Sequence, residues 1–149
     1  MAKEIERKFL VRDPEAARAA ATGSRHIRQG YLSADPEATV RVRLADDRGY
    51  LTVKSRNRGA ERDEWEYEIP ARDAEEMLRL SRTPVIDKTR WLVPYGGHVW
   101  EVDEFRSPRQ LIVAEVELGS ADEKLELPAW VGEEVTGDPA YYNSNLARG

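Results

Sequence analysis

Charged and apolar residues alternate at successive positions in many short segments of this chain. The pattern is clear at residues 40–44, where Arg41 and Arg43 alternate with three aliphatic residues. Because successive side chains of a β-strand point to opposite faces, each such segment has one charged and one apolar face. The same alternation occurs at residues 4–8, 51–54, 64–69, 88–91, 100–103 and 114–118. The sequence therefore predicts a sheet with one charged face and one apolar face.

Two segments interrupt this alternation and favour helices. The first covers about residues 14–21: Asp13 can cap it, Pro14 suits its first turn and Gly23 follows it. The second covers residues 73–81 and places its apolar residues on one side. Turn signals at residues 33–36, 46–49 and 95–98 separate the strands. We predict an α+β protein, mainly β, with an antiparallel sheet or barrel.

Composition limits the classes of function. With 149 residues, 40% of them hydrophobic and 34% charged, we expect residues 1–149 to form a single globular domain. The net charge of -5 argues against a nucleic-acid binder, no apolar run reaches membrane length, and we expect no signal peptide. We therefore predict a cytoplasmic protein with neither a nucleic-acid nor a membrane partner. Aromatic residues exposed on the strands favour a homodimer.

The chain contains no cysteine and two histidines, so thiolate metal sites are excluded and a typical zinc site is not expected. Carboxylate oxygens, which suit magnesium and manganese, are the expected metal ligands.

The charges on the polar face occur as pairs of like sign, such as Glu4 with Glu6 and Arg41 with Arg43. A single alternating strand would fit any antiparallel sheet with one face in water. However, like charges placed side by side destabilise a sheet, so the whole set calls for external counter-charges. A metal cation for the acids and a polyanion for the bases would satisfy both. If the sheet closes with its apolar face outward and covered by the helices, the charged residues line a hydrated interior.

Residues 4–8, Glu-Ile-Glu-Arg-Lys, resemble the Glu-x-Glu-x-Lys signature of the CYTH superfamily, also called triphosphate tunnel metalloenzymes. The resemblance continues at residues 29–32, 40–43, 51–54, 66–68, 88–90, 101–103, 115–117, 134–136 and 142–146. It implies an eight-stranded antiparallel β-barrel with a charged lumen and helices packed outside. It also implies binding of a small polyphosphate substrate with Mg²⁺ or Mn²⁺. The chain is most similar to short bacterial members, which hydrolyse inorganic tripolyphosphate to diphosphate and phosphate.

The resemblance also implies roles for individual residues. The metal ligands would be Glu4, Glu6, Asp103, Glu115 and Glu117. The phosphates would be bound by Lys8, Arg41, Arg43, Lys54, Lys88 and Arg90. Lys88 and Tyr31 would be the catalytic pair near the scissile bond. We expect Glu66 and Glu68 in the lumen, where they either bind metal or orient arginines, and we leave the role of Glu101 open.

Other functions are compatible with the same residues. One is another enzyme of this fold that acts on an organic triphosphate: a nucleoside or thiamine triphosphatase, or an adenylyl cyclase. Such an enzyme needs a platform for an organic ring, whereas the parity of Trp65, Trp91 and Trp100 assigns them to the apolar outer face. A different class is a non-catalytic module that binds polyphosphate. For each charged residue taken alone, an ion-pair network is the alternative role.

Overall fold

The computed structural model describes residues 2–142 and 145. The strands among these residues are β1 (Ala2–Val11), β2 (Gly23–Asp35), β3 (Ala38–Ala45), β4 (Arg48–Ser55), β5 (Glu61–Ile69), β6 (Ile86–Tyr95), β7 (His98–Ser107), β8 (Leu111–Glu117) and β9 (Val131–Glu134). The α-helices are α1 (Pro14–Ala19) and α2 (Ala71–Met77), and single 3₁₀ turns occur at Leu78–Leu80 and Pro139–Tyr141. No helix in the described part of the chain has the length and apolar character needed to cross a bilayer. Residues 143, 144 and 146, at the end of the family resemblance, lie outside the described residues.

Eight of the strands form a closed antiparallel barrel, which confirms the predicted architecture. Their order is β5-β4-β3-β2-β6-β7-β8-β1, and β1 pairs again with β5 to close the circle. This closing contact joins residues 2–5 to residues 61–64, with Glu4 opposite Arg62. The ninth strand, β9, pairs with the other half of the same edge of β1, opposite Phe9 and Val11. Both halves of that edge of β1 are therefore paired.

The two predicted helices are present but shorter or shifted. Asp13 caps α1 as expected, since its carboxylate accepts a hydrogen bond from the backbone nitrogen of Ala16 at 3.1 Å. The second helix begins at Ala71, two residues before the predicted start, and has Pro70 at its cap with no side-chain hydrogen bond. At the β6–β7 hairpin, Gly96 and Gly97 have φ values of 59° and 81°, a conformation that favours glycine.

The outer face of the barrel is apolar, and the helices cover it. Trp100 is fully buried there, with its ring 5.4 Å from Phe9 and 5.5 Å from Trp130 between centroids. Helix α1 adds Ala17 to this cluster, and α2 packs Ala74 against Val42 on another part of the barrel. The predicted packing of helices against the outside is therefore confirmed.

The interior is charged along only part of its length. At one end, Tyr31, Ile86, Phe105 and Val113 form a buried apolar cluster inside the barrel, on the same side of their strands as the predicted site residues. This cluster differs from the uniformly charged lumen expected from the sequence. Parity fixes the face on which a side chain lies, but not whether that part of the lumen is wet. Hereafter we call these four residues the apolar plug.

The segment after β9 packs against the same end of the barrel. The backbone nitrogen of Val135 donates to the carbonyl oxygen of Lys8 at 2.8 Å, and Tyr141 packs against the apolar plug. The ammonium of Lys8 donates to the backbone oxygen of Tyr141 at 2.8 Å. The segment therefore packs over the plug at this end of the barrel. At the opposite, open end the lumen continues outward between Arg25, Arg48 and Glu101.

Candidate active site

The charged part of the lumen is a cavity that encloses about 770 Å³, part of it open to solvent. Side chains from β1, β3, β4, β5, β6, β7 and β8 converge on it. The lining residues are Glu4, Glu6, Lys8, Arg41, Arg43, Lys54, Arg62, Glu64, Glu66, Arg90, Glu101, Glu115 and Glu117. The structure thus brings together most residues that the sequence singled out. Their metal-binding and substrate-binding roles stay predictions.

One wall of this inner cavity is acidic. Glu6 on β1 lies directly opposite Glu117 on β8, and Glu115 on β8 lies directly opposite Glu101 on β7. Of these four, Glu115 pairs with Lys8 at 3.2 Å, whereas no lysine or arginine nitrogen of the described residues lies within ion-pair distance of Glu6. Opposed carboxylates of this kind destabilise a sheet unless a cation compensates them.

The carboxyl group of Glu6 shows the lack of a counter-charge most directly. Desolvation and the nearby charges of Glu115 and Glu4 raise its pKa well above the usual value. The donor set consists of oxygen atoms, which suits a hard divalent cation. Among the described residues, no group of three carboxylates or histidines is already arranged to hold a metal ion, so coordination would require side-chain rotation.

The negative charge of Glu4 is compensated by two cationic side chains of the protein. Its carboxylate accepts hydrogen bonds from Lys54 at 2.8 Å and from Arg62 at 3.0 Å. Although desolvation raises its pKa, these two cations lower it below the usual value. Glu64 lies beside this group, and desolvation together with its hydrogen bond to Glu4 raises its pKa to about 7. Glu4 is therefore less available to a metal ion than Glu6 in this state of the protein.

The opposite wall is basic and contains unsatisfied donors. Desolvation, together with the charges of Arg41 and Arg90, lowers the pKa of Arg43 to about 9. Arg43 donates through Nε to the side-chain oxygen of buried Gln29 at 2.9 Å. Buried Arg41 Nε and Gln29 Nε2 have no hydrogen-bond partner among the residues that the structure describes. Buried donors are usually satisfied, so this wall suits a ligand with many acceptor oxygens, such as a phosphate chain.

Lys88 lies behind the surface of the inner cavity. It is fully buried, with Nζ 2.6 Å from Asp103 Oδ2 and 4.9 Å from the ring centre of Phe105. Burial lowers the pKa of Lys88 to about 7, although the charge of Asp103 acts in the opposite direction. Lys88 can therefore change its charge near neutral pH.

Asp103 uses both of its carboxylate oxygens to bind cations. Besides Lys88, it accepts hydrogen bonds from Arg90 Nε at 2.8 Å and Arg90 Nη2 at 2.9 Å. Burial alone would raise the pKa of Asp103, but Arg90 and Lys88 lower it to about 2. In this structure Asp103 orients the two cations and does not line the cavity, and the metal-ligand role implied for it stays a prediction.

Tyr31 also lies outside the inner cavity, within the apolar plug. It is 4% exposed, and Arg41 is its cross-strand partner. Burial raises the pKa of its hydroxyl although Arg41 and Arg43 act to lower it. Phe105 packs in the same cluster and beneath the ammonium of Lys88. The predicted catalytic pair thus lies at the boundary between the plug and the charged cavity.

The structure places the three remaining glutamates at the open end. Glu66 accepts a hydrogen bond from Thr52 at 2.9 Å and lies 3.6 Å from Arg41, which supports the orienting alternative for this residue. Glu101 contacts Arg90 at 3.3 Å. Glu68 was expected in the lumen, but its side chain is 57% exposed, pairs with Arg48 at 3.7 Å and does not line the cavity. It lies at the end of β5, where the wall meets solvent.

The sequence reasoning missed Arg62, Glu64 and Gln29. The first two share the parity of Glu66 and extend its alternation toward the start of β5. That signal was available in the sequence. Gln29 has the parity of Tyr31 but carries no charge, so no charge pattern could have identified it.

A closed barrel whose lumen has opposed acidic and basic walls is suited to a phosphate-rich anion together with a cation. The chain belongs to the CYTH domain family, whose family model matches residues 2–145. It is 47% identical to an inorganic triphosphatase of Acetivibrio thermocellus over 150 residues, which cover 99% of this chain and 95% of that protein. It is 34% identical to an inorganic triphosphatase of Nitrosomonas europaea, over 97% of this chain and 96% of the relative.

Solved structures agree with the fold. A crystal structure of an inorganic triphosphatase matches with a TM-score of 0.66 and 33% identity, covering 98% of both chains. A Hippeastrum protein described as having a dominant triphosphatase activity matches with a TM-score of 0.64 and 17% identity, over 78% of this chain and 80% of that one. The second likeness concerns the fold alone.

Proposed function

We propose that this protein hydrolyses inorganic tripolyphosphate to diphosphate and phosphate with the help of Mg²⁺ or Mn²⁺. The observation that carries the proposal is the inner cavity, where an acidic wall with an uncompensated Glu6 faces a basic wall with unsatisfied donors. The two full-length relatives described as inorganic triphosphatases support the same substrate.

The acidic wall provides the metal ligands in this proposal. Glu6, Glu115 and Glu117 would hold the ion, and Glu4 would join them if substrate draws Lys54 and Arg62 away from it. A divalent ion bound there would supply positive charge for the transferred phosphoryl group and would position the attacking water. The carboxylate of Glu6, freed of its proton, would gain the counter-charge that the metal-free protein lacks.

The basic wall binds and orients the phosphate chain. Arg41, Arg43 and Arg90 present guanidinium groups that match two phosphate oxygens each. Lys8 and Lys54 add point charges close to the acidic wall. Holding the chain along this wall positions its terminal phosphorus for attack and stabilises the charge that develops on the leaving diphosphate.

Lys88 and Tyr31 are the proposed proton carriers. A lysine with a pKa of about 7 has both protonation states available at neutral pH, which suits general acid–base catalysis. Lys88 would donate a proton to the leaving oxygen or accept one from Tyr31. Asp103 fixes the position of Nζ at 2.6 Å and so determines where this proton lies.

A substrate panel tests the proposal. Phosphate release is measured with tripolyphosphate, diphosphate, ATP and thiamine triphosphate, each with Mg²⁺, with Mn²⁺ and with chelator. We expect the highest kcat/KM for tripolyphosphate with metal, and loss of turnover with chelator. A higher kcat/KM for an organic triphosphate would favour the other enzymes of this fold. Tight tripolyphosphate binding without any release would favour a non-catalytic polyphosphate-binding module.

A further inference from the structure

The inner cavity continues outward into a second space at the open end of the barrel. This outer vestibule encloses about 920 Å³ and is lined by Arg25, Ile27, Arg43, Ala45, Arg48, Tyr50, Glu66, Arg90 and Glu101. Four of its residues, Arg43, Glu66, Arg90 and Glu101, also line the inner cavity. The two spaces therefore share a wall, and a chain-like ligand could pass from one into the other.

The rows of cations do not stop at the inner cavity. On β2, Arg25 lies directly opposite Arg90 of β6. On β4, Arg48 follows Tyr50 outward, and Tyr50 lies directly opposite Arg43 of β3. Like charges in opposed positions destabilise a sheet unless they are compensated. Arg90 is held by Asp103 and Glu101, so Arg25 is the cation of this pair with the weaker internal partner. The vestibule contains four arginines and two glutamates, so its lining is net basic, unlike the protein as a whole.

The two outer arginines have weak internal partners. Arg25 lies 4.0 Å from Asp46, and Arg48 lies 3.7 Å from Glu68, with exposed side chains in both pairs. Exposed ion pairs at such distances contribute little to stability. A phosphate group could displace either carboxylate at low cost, since a guanidinium can bind two phosphate oxygens at once.

We propose that the outer vestibule is a subsite for longer linear inorganic polyphosphates. Arg25 and Arg48 bind the phosphate groups beyond the third, while the first three occupy the inner cavity. This inference rests on the proposed function and extends it to a determinant of chain length. An anion is favoured over an organic ring because Tyr50 is the sole aromatic residue among the described lining, whereas arginines surround it.

The test compares linear tetrapolyphosphate with tripolyphosphate in steady-state hydrolysis with Mg²⁺ or Mn²⁺. The quantity measured is the KM for tetrapolyphosphate divided by the KM for tripolyphosphate. In the double variant Arg25→Ala/Arg48→Ala we expect this ratio to rise about tenfold, as the loss of charge-assisted hydrogen bonds to one phosphate group predicts. The double variant Arg25→Lys/Arg48→Lys keeps the charge and should recover part of the change.

A charge-matched control separates local binding from a change in net charge. Arg79 and Arg109 are exposed and line neither cavity. The control variant Arg79→Ala/Arg109→Ala therefore removes two positive charges, as Arg25→Ala/Arg48→Ala does, but away from the vestibule. The control should keep the wild-type ratio. An unchanged ratio in the Arg25→Ala/Arg48→Ala variant would overturn the subsite while leaving tripolyphosphate hydrolysis intact. Absence of tripolyphosphate hydrolysis by the wild-type protein would instead refute the proposed function, and the subsite would fall with it.

Discussion

At the scale of single residues, burial gives Lys88 chemistry that an exposed lysine lacks. Its ammonium is enclosed by Asp103 and Phe105 with no exposed surface, and burial lowers its pKa to about 7. In the same geometry both oxygens of Asp103 accept hydrogen bonds from cations, so a metal ion at Asp103 would have to displace them. An acidic residue on a lumen-facing strand can therefore belong to the basic wall.

Replacement of Lys88 tests its role in proton transfer. Lys88→Ala should lower kcat for tripolyphosphate by about 10²- to 10⁴-fold, the usual contribution of a positioned acid or base. The wild-type profile of kcat against pH should change slope near pH 7, and Lys88→Arg should abolish that change because arginine stays charged. Circular dichroism would establish that the variants fold.

The control for this prediction is Lys124→Ala, which removes an exposed lysine that does not line the inner cavity. It should retain wild-type turnover and the slope change near pH 7. Near-normal hydrolysis by a folded Lys88→Ala protein would reject the catalytic assignment.

At the scale of elements, close approach of α2 to the barrel fixes the strands that carry the basic wall. A Cβ atom at Gly49 would lie 2.8 Å from Ala74 Cβ of α2 and 3.0 Å from the backbone oxygen of Ile69. Strands β3 and β4, which carry Arg41, Arg43 and Lys54, run beneath this helix. A side chain at Gly49 would therefore push the helix away from the strands.

Gly49→Ala should lower the free energy of unfolding by about 1 to 3 kcal/mol, the usual effect of overpacking. Gly23→Ala is the matched control, because a Cβ there meets its nearest neighbour, Leu92, at 4.0 Å. Urea unfolding of both variants and the wild type would measure the difference. Equal midpoints and slopes for the two variants would contradict the role assigned to this contact.

Much of the element order could be predicted from the sequence, since alternation identified the strands and their charged faces. The apolar plug could not be predicted in the same way. Ile86, Phe105 and Val113 are apolar residues at lumen parity, but only the register between their strands brings them together at one end of the barrel. The pairing of Asp103 with Arg90 depends on the register between β6 and β7, which only the folded barrel fixes. Arg62, by contrast, followed from parity and was overlooked.

At the scale of the whole molecule, two opposed charged walls make metal and substrate depend on each other. Each wall carries like charges that lack full compensation within the protein. A cation on the acidic wall and a polyanion on the basic wall relieve these repulsions, and each ligand also attracts the other. Two predictions stay open: that residues 1–149 form one domain, and that the protein is a homodimer. Tyr67, which is 64% exposed on the outer face of the barrel, is an exposed aromatic residue of the kind on which the homodimer prediction rests.

This mutual dependence predicts positive coupling between the two ligands. A ligand that binds only the folded protein raises its melting temperature, so metal-free protein can be titrated with Mg²⁺, with tripolyphosphate and with both. Diphosphate formation is followed in parallel to correct for hydrolysis. We expect the melting-temperature shift with both ligands to exceed the sum of the separate shifts, because each bound ligand attracts the other. Coupling free energies between two sites are typically about 1 to 3 kcal/mol.

Glu6→Gln locates this coupling on the acidic wall. Because the pKa of Glu6 is raised in the folded protein, ionisation of Glu6 costs stability as the pH rises through that value. The metal-free variant should therefore be more stable than the wild type at pH 8, with a smaller difference at pH 5.

In the ligand titrations, Glu6→Gln should lose the Mg²⁺-dependent part of the melting-temperature shift and keep the part due to tripolyphosphate alone. Glu133→Gln, which removes an exposed carboxylate outside the cavity, should keep both parts. Additive shifts in the wild type, or unchanged coupling in Glu6→Gln, would show that the two walls bind their ligands independently.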